Sequence, residues 1–137
     1  MNYETRDTFG MYKGTLHGPG PHLMGADTLI GNDVYNHKEE SLGDIKEIML
    51  DVGTGKVSYA VLSFGAFLGM GAKLFAVPWS ALTLDTVNKR FILNIEKDRL
   101  SDAPGFDKDK WPNMADAVWA KNIDTYYAPR KPNQFSS

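Results

Sequence analysis

The chain has 137 residues, of which 42% are hydrophobic and 23% are charged. This length and balance are typical of one folded domain and exclude the composition of a disordered chain. The formal net charge is -2, so no overall field attracts nucleic acid, and we expect no nucleic-acid partner. Cysteine is absent, which excludes disulfides, thiolate catalysis and zinc-thiolate sites.

The sequence also bears on membrane insertion and on location. No stretch approaches the roughly 18 apolar residues that a membrane helix needs. The segment from Met1 to Asp7 has neither the basic region nor the apolar region of a signal peptide. We therefore expect no membrane insertion and a cytoplasmic location.

Residues 1–25 are rich in glycine and proline and show neither strand alternation nor a helical period. This pattern predicts a flexible N-terminal arm. The arm contains His17 and His22, while the third histidine, His37, lies in a predicted turn. A metal site needs further ligands at their own spacing, so we expect no metal.

From residue 26 to residue 95, short apolar runs alternate with glycine, asparagine and aspartate turn signals. A glycine at position 31 interrupts the first run and predicts a bulge or a bend there. The pattern predicts about six strands, enough to form a small barrel or half-barrel. The runs are 28–35, 42–51, 57–64, 74–77, 82–84 and 91–95.

The run 42–51 contains Ile45 and Ile48, which have opposite parity and would face opposite sides of a regular strand. A bulge near Lys46 places both on one side. The alternative is one helical turn that pairs the two isoleucines, but Gly43 disfavours a helix. We favour the bulged strand.

The next connection and strand carry two further signals. Gly53 and Gly55 can adopt positive φ, which predicts a hairpin between two strands. Both alternating faces of 57–64 are apolar, so one face should line the barrel and the other needs a lid.

A helical C-terminal extension, residues 96–137, is our candidate for that lid. A polar helical turn is expected at 96–100, and a second helix follows Pro112, with Asn113 as its cap. We expect the chain to be frayed after residue 128. The apolar positions of the second helix recur at helical spacing: Trp119, Ile123 and Tyr126 or Tyr127.

Catalytic and cofactor motifs are missing. The glycine-rich segment 65–73 lacks the Gly-Lys-Ser/Thr of a phosphate loop, and strands flank it on both sides. The segment 107–110 resembles the start of a calcium loop, but Trp111 occupies the third ligand position, glycine is missing at the sixth position and Val118 occupies the twelfth. No Gly-x-Ser-x-Gly elbow occurs. We therefore expect no enzyme, no catalytic residue and no cofactor.

Apolar side chains in the glycine-rich segment need an explanation, because Phe67, Leu68 and Met70 are unfavourable in water. They fold over their own core or contact a partner. Trp79, which follows a predicted strand end, is a further candidate for partner contact.

Several motifs of this chain, in this order and spacing, resemble the PRC-barrel family. The tail, with Ala103-Pro104-Gly105-Phe106 and Trp111-Pro112, resembles bacterial stand-alone members of that family. The motifs are Leu29-Ile30-Gly31-Asn32-Asp33-Val34-Tyr35-Asn36, Leu42-Gly43-Asp44-Ile45, Leu50-Asp51 and Leu74-Phe75-Ala76-Val77-Pro78-Trp79-Ser80-Ala81-Leu82.

The resemblance implies a docking or assembly role, because the family includes the cytoplasmic domain of the photosynthetic reaction centre H subunit and a domain of a ribosome maturation factor. We expect a mainly β, six-stranded barrel or half-barrel that acts as a non-enzymatic interaction module, with a protein or a second copy of itself as partner. The alternative is a small-ligand sensor or weak enzyme that uses a cleft between the barrel and the C-terminal helix.

Overall fold

The computed structural model describes residues 24–65 and 73–128. Within these residues six strands form one mixed sheet in the order β4-β3-β2-β1-β6-β5, curled into a half-barrel. This confirms the predicted mainly β class. The elements are α1 Ala26–Leu29, β1 Asp33–Tyr35, β2 Ser41–Asp51, β3 Lys56–Phe64, β4 Lys73–Pro78, a 3-10 turn Trp79–Ala81, β5 Leu82–Asp85, β6 Arg90–Leu93, α2 Lys97–Ser101 and α3 Ala117–Tyr127.

The start of the barrel differs from the prediction, because residues 28–30 belong to a helical turn and not to a strand. The backbone N–H groups of Thr28 and Leu29 both donate to the carbonyl of Gly25. Both side chains are buried, whereas neighbouring residues of a strand face opposite sides. Gly31 then adopts φ +93° and turns the chain into β1, which confirms the expected bend.

The predicted bulge in β2 is confirmed. In the pairing of β2 with β3, Ile45 lies opposite Leu62 and Glu47 lies opposite Val61, so Lys46 has no partner. The extra residue shifts the alternation of the side chains by one position. Ile45 and Ile48 therefore share one face, although they are three residues apart.

Both faces of β3 are covered, as its apolar alternation predicted. One face, with Ala60 and Leu62, belongs to the core of the half-barrel. On the other face, Tyr59 contacts Trp119 of α3 edge-on, with 5.4 Å between the ring centroids. Ile123, one turn further along α3, is 1% exposed and joins the same core.

The N-terminal cap of α3 is Asp116, so the prediction of Asn113 as the cap is wrong. The Asp116 carboxylate accepts a hydrogen bond from the backbone N–H of Val118 at 2.9 Å. Asn113 instead caps the preceding turn, where its side chain accepts from the backbone N–H of Ala115. This turn delays the helix to Ala117, because an Asn side chain stabilises a local turn as readily as a helix start.

Arg99 of α2 and Tyr126 of α3 hold the two helices together. The Arg99 guanidinium donates a hydrogen bond to the Tyr126 carbonyl at 2.7 Å and lies 4.3 Å from the centre of the Tyr126 ring. The Tyr126 hydroxyl donates in return to the Arg99 carbonyl. The contacts are reciprocal, so each side chain fixes the backbone of the other helix.

We expect Arg99→Ala to reduce the free energy of unfolding by about 1–2 kcal/mol, because it removes a charged hydrogen bond and a cation–π contact. Hydrogen exchange should rise mainly in α3, whose attachment weakens. Lys97→Ala, an exposed position of the same helix, is the matched control. Equal hydrogen-exchange rates in α3 of the two variants would contradict the role of Arg99 in attaching that helix.

Candidate interaction surface

The sequence analysis predicted four residues as partner contacts, and the described part of the chain includes one of them, Trp79. Trp79 opens the 3-10 turn after β4 and is half-buried. Its indole contacts the core residue Phe91 edge-on at 5.7 Å between ring centroids. The other three, Phe67, Leu68 and Met70, lie outside the described residues.

The strand ends on either side of segment 66–72 are described. Phe64 at the end of β3 is paired with Lys73 at the start of β4. The ring centroids of Phe64 and Phe75 lie 6.3 Å apart. The Lys73 ammonium lies 5.6 Å from the centroid of the Phe75 ring. Phe64 is only half-buried, so it is partly exposed at this end of the hairpin.

The candidate contact surface lies at the outer edge of β4, where Phe106 pairs with Leu74 and therefore lies on the opposite face of the strand from Lys73 and Phe75. The Leu74 N–H donates to the Phe106 carbonyl at 2.9 Å, and the Phe106 N–H donates to the Leu74 carbonyl at 2.8 Å. The neighbouring Gly105 makes this approach possible, because a Cβ there would lie 2.7 Å from Lys73 Cε and 2.9 Å from the Leu74 carbonyl oxygen.

Trp111 completes the surface. Its ring centroid lies 4.9 Å from that of Phe106, and its indole N–H donates to the Lys108 carbonyl at 2.8 Å. The side chain is fixed by these contacts, yet the residue remains 42% exposed. We call the pair Phe106 and Trp111 the aromatic rim.

Sequence reasoning did not select the aromatic rim as a contact site. The signal in the sequence is Gly105 before Phe106, since a glycine outside a turn can mark a close approach of two backbone segments. Among residues 24–65 and 73–128, four other large apolar residues have high exposure, and they are scattered over hairpin turns, a strand end and a helix start: Leu50, Val52, Val87 and Val118.

A shallow polar pocket of about 390 Å³ lies on another part of the half-barrel, where β1 and β6 run side by side. Glu39 and Lys89 in this pocket adopt φ +62° and +59°, which is uncommon for residues other than glycine. The pocket is lined by Asp33, Tyr35, Glu39, Asn88, Lys89 and Arg90.

The Arg90 guanidinium of this pocket is neutralised within the chain. It donates to both carboxylate oxygens of Glu39, at 2.8 and 3.0 Å, and to Asp85 at 3.3 Å. These hydrogen bonds hold the pKa of Glu39 below its ordinary value and that of Arg90 above it. A ligand carboxylate or phosphate would have to displace Glu39, so the arrangement favours a structural ion pair that joins two turns.

Asp44 of β2 lies directly opposite Asp33 of β1. Partial burial, and then the negative charge of Asp33, raise the pKa of the Asp44 carboxyl. The pair is a like-charge contact between neighbouring strands, which destabilises a sheet.

We expect Asp44→Asn to raise the free energy of unfolding at neutral pH by less than about 1 kcal/mol. The raised pKa means that the folded wild type binds the proton more tightly than the unfolded chain does, so wild type gains stability as the pH falls through that pKa. The advantage of asparagine should therefore vanish in acid. Urea unfolding near neutral pH and at about pH 3 measures this, with Asp109→Asn at an exposed position as control. A pH-independent difference would contradict the assignment.

Residues with metal-binding side chains do not converge in the structure. Among residues 24–65 and 73–128, no group of three or more His, Asp or Glu side chains is placed to hold a metal ion. His37 is exposed in the turn after β1, and His17 and His22 lie outside the described residues. None of the described helices has the length and apolar character needed to span a membrane.

Comparison with known proteins gives one family match. Residues 21–100 match the PRC-barrel domain, a span that includes all six strands. No curated protein sequence matches the chain.

Proposed function

The chain belongs to the PRC-barrel family, and from this premise we propose that it is a non-enzymatic protein-interaction or assembly module. The observation that carries the proposal is the aromatic rim. An exposed tryptophan fixed against a second aromatic ring is the kind of residue that dominates binding at protein interfaces.

The geometry of the rim supports a preformed contact surface. The Trp111 indole is held by Phe106 and by the Lys108 carbonyl, so little side-chain freedom is lost when a partner binds. Phe106 is itself held by two backbone hydrogen bonds to β4. A partner would therefore meet an ordered aromatic face at the outer edge of β4.

We extend the surface to the residues that the sequence indicated. Phe67, Leu68 and Met70 belong to the segment that precedes β4, and Leu74 of β4 pairs with Phe106 of the rim, so these residues are close to the rim's partner strand along the chain. Trp79 is the weakest of the four, because its ring is already engaged with Phe91. Self-association is one form of the proposed role, and a cytoplasmic location is part of the same proposal.

The test uses the full chain, immobilised and exposed to a lysate of the cells it comes from. We expect Trp111→Ala to reduce the recovery of specifically retained protein at least about tenfold, as for a hot-spot residue. Met70→Ala should reduce it as well. Val118→Ala is the matched control, because Val118 is 68% exposed but is not part of the rim.

The variants must be folded for this comparison, and unfolding curves next to wild type establish that. The proposal would be abandoned if the wild-type chain retained no protein specifically, or if the Trp111 and Val118 variants retained the same protein in equal amounts.

A further inference from the structure

The aromatic rim lies on the same face of the sheet that α3 covers. Tyr59 and Val61 are two positions apart and share one face of β3, and Leu74 and Ala76 share one face of β4. Val61 lies directly opposite Ala76 in the pairing of the two strands, so the two faces are one. Phe106 pairs with Leu74 and belongs to that face as well. The rim is therefore continuous with the outer face of β3 and β4.

The occupant of this outer face in the structure is a helix. Trp119 of α3 contacts Tyr59, and α3 also contacts β4. Ile123 and Tyr127, one and two turns further along the helix, are buried. These three positions are four residues apart and lie on one side of α3. The outer face therefore accepts a helix that carries an aromatic, an aliphatic and an aromatic residue at positions i, i+4 and i+8.

The docked helix carries one unfavourable group at its end. Tyr127 is 7% exposed, and within residues 24–65 and 73–128 its buried hydroxyl has no hydrogen-bond partner. A buried hydroxyl that has lost its water without a replacement destabilises the docked state, and undocking allows water to bind it again. Segments that are held by few buried side chains open at a lower free energy than the rest of a domain. α3 has both properties.

We propose that α3 is an autoinhibitory cover, which opens as a unit and exposes the outer face to an amphipathic helix of a partner. That helix has the apolar spacing of Trp119, Ile123 and Tyr127. The inference rests on the proposed interaction function, because it describes how the same contact surface is regulated. The outer face belongs to the family domain itself, since the match over residues 21–100 includes β3 and β4, and α3 begins after it, at Ala117.

The probe is a labelled synthetic peptide with the sequence of residues 113–128, because the structure shows that this helix fits the outer face. Fluorescence anisotropy measures its affinity for the full chain, which is the intrinsic affinity reduced by the fraction of open chains. We expect weak binding to wild type. Ile123→Ala in the full chain should tighten peptide binding at least about tenfold, because its own helix docks less firmly. Tyr127→Phe in the full chain should weaken peptide binding, because it removes the unpaired hydroxyl.

Lys121→Gln, at an exposed position of α3, is the matched control and should bind the peptide like wild type. A peptide that carries Ile123→Asp should not bind. Unfolding curves establish that each variant is folded, and Trp119→Ala replaces an Ile123 variant that is not. The proposal is overturned if the peptide binds no form of the chain at up to about 500 µM, or if it binds the wild type and the Ile123→Ala chain equally. Binding to Tyr127→Phe that is tighter than binding to wild type overturns it as well.

These outcomes are distinct from those of the capture experiment. Trp111 is exposed while α3 is docked, so a partner can be retained through the rim even if the cover never opens. Conversely, the peptide can bind the outer face of a chain that retains no cellular protein. Failure of the inference and failure of the proposed function are therefore distinguishable.

Discussion

Replacing Gly43 with alanine is expected to prevent stable folding of the half-barrel. Gly43 lies in β2 with φ +95°, a conformation that costs about 1–2 kcal/mol for a residue with a Cβ. Steric overlap with the neighbouring strand is more costly still. A Cβ at Gly43 would lie 2.0 Å from the Ser63 carbonyl oxygen and 3.2 Å from the Phe64 Cα.

Backbone atoms of a paired strand cannot move aside without breaking the β2–β3 pairing. We therefore expect Gly43→Ala to lose more than about 4 kcal/mol of unfolding free energy, which places it among the rare severe substitutions. Urea unfolding followed by circular dichroism measures the loss, or shows directly that the variant is unfolded.

Gly55→Ala is the matched control, because Gly55 also has positive φ, +79°, but nothing lies within 4 Å of a Cβ there. Strain alone should then lower the stability by about 1 kcal/mol. If Gly43→Ala were no more destabilising than Gly55→Ala, the close approach of β2 to Ser63 would be wrong.

Asn36→Ala is expected to lose about 3 kcal/mol, since it removes one buried and three partly buried hydrogen bonds and leaves the buried Ile95 carbonyl without this donor. The Asn36 side chain is buried in the turn after β1. Its amide nitrogen donates to the carbonyl of Ile95 at 3.1 Å and to the Glu40 carboxylate at 2.8 Å. Its oxygen accepts from the N–H groups of Lys38 and Glu40 at 2.9 and 3.0 Å.

Asn94→Ala, at an exposed asparagine next to the Ile95 that Asn36 holds, is the control and should change the stability by no more than about 0.5 kcal/mol. Asn36→Asp separates the acceptor role of the side chain from its donor role. A carboxylate still accepts the hydrogen bonds from the N–H groups of Lys38 and Glu40, but it cannot donate to the Ile95 carbonyl or to Glu40. Burial beside Glu40 and a carbonyl would raise the pKa of the new carboxyl.

The sign of the pH dependence of Asn36→Asp follows from that raised pKa. The folded variant would bind the proton more tightly than its unfolded chain, so its stability relative to wild type should fall as the pH rises through that pKa. Urea midpoints across the acidic range measure this. A difference in stability between Asn36→Asp and wild type that does not change with pH would contradict the buried hydrogen bond from the Asn36 amide to the Ile95 carbonyl.

The parts of the fold that sequence predicted depend on near neighbours in the chain. Ile45 and Ile48 are three residues apart, so a strand can place them on one face only with a bulge between them, at Lys46. The apolar side chains on both alternating faces of β3 required a cover on each face. The errors have the same origin. A short apolar run at 28–30 fits a strand or a helical turn, and an Asn side chain at 113 caps a turn or a helix equally well.

The candidate surface was harder to predict because its members are distant in the chain. Phe106 pairs with Leu74, 32 positions earlier, and only the missing Cβ of Gly105 hints at this contact. The Arg90 cluster is similar, since Glu39 is 51 positions away and nothing local to either residue selects the other. The sequence analysis predicted Phe67 and its neighbours, which lie outside the described residues, and left out the aromatic pair.

The cover that α3 provides for β3 has a consequence for synthesis of the protein. Chains are made and emerge from the ribosome N-terminus first, so every strand of the sheet emerges before residues 117–127. During that interval the outer face of β3, with Tyr59, lacks the Trp119 ring that covers it in the finished protein. The nascent half-barrel therefore exposes an additional apolar face until α3 docks.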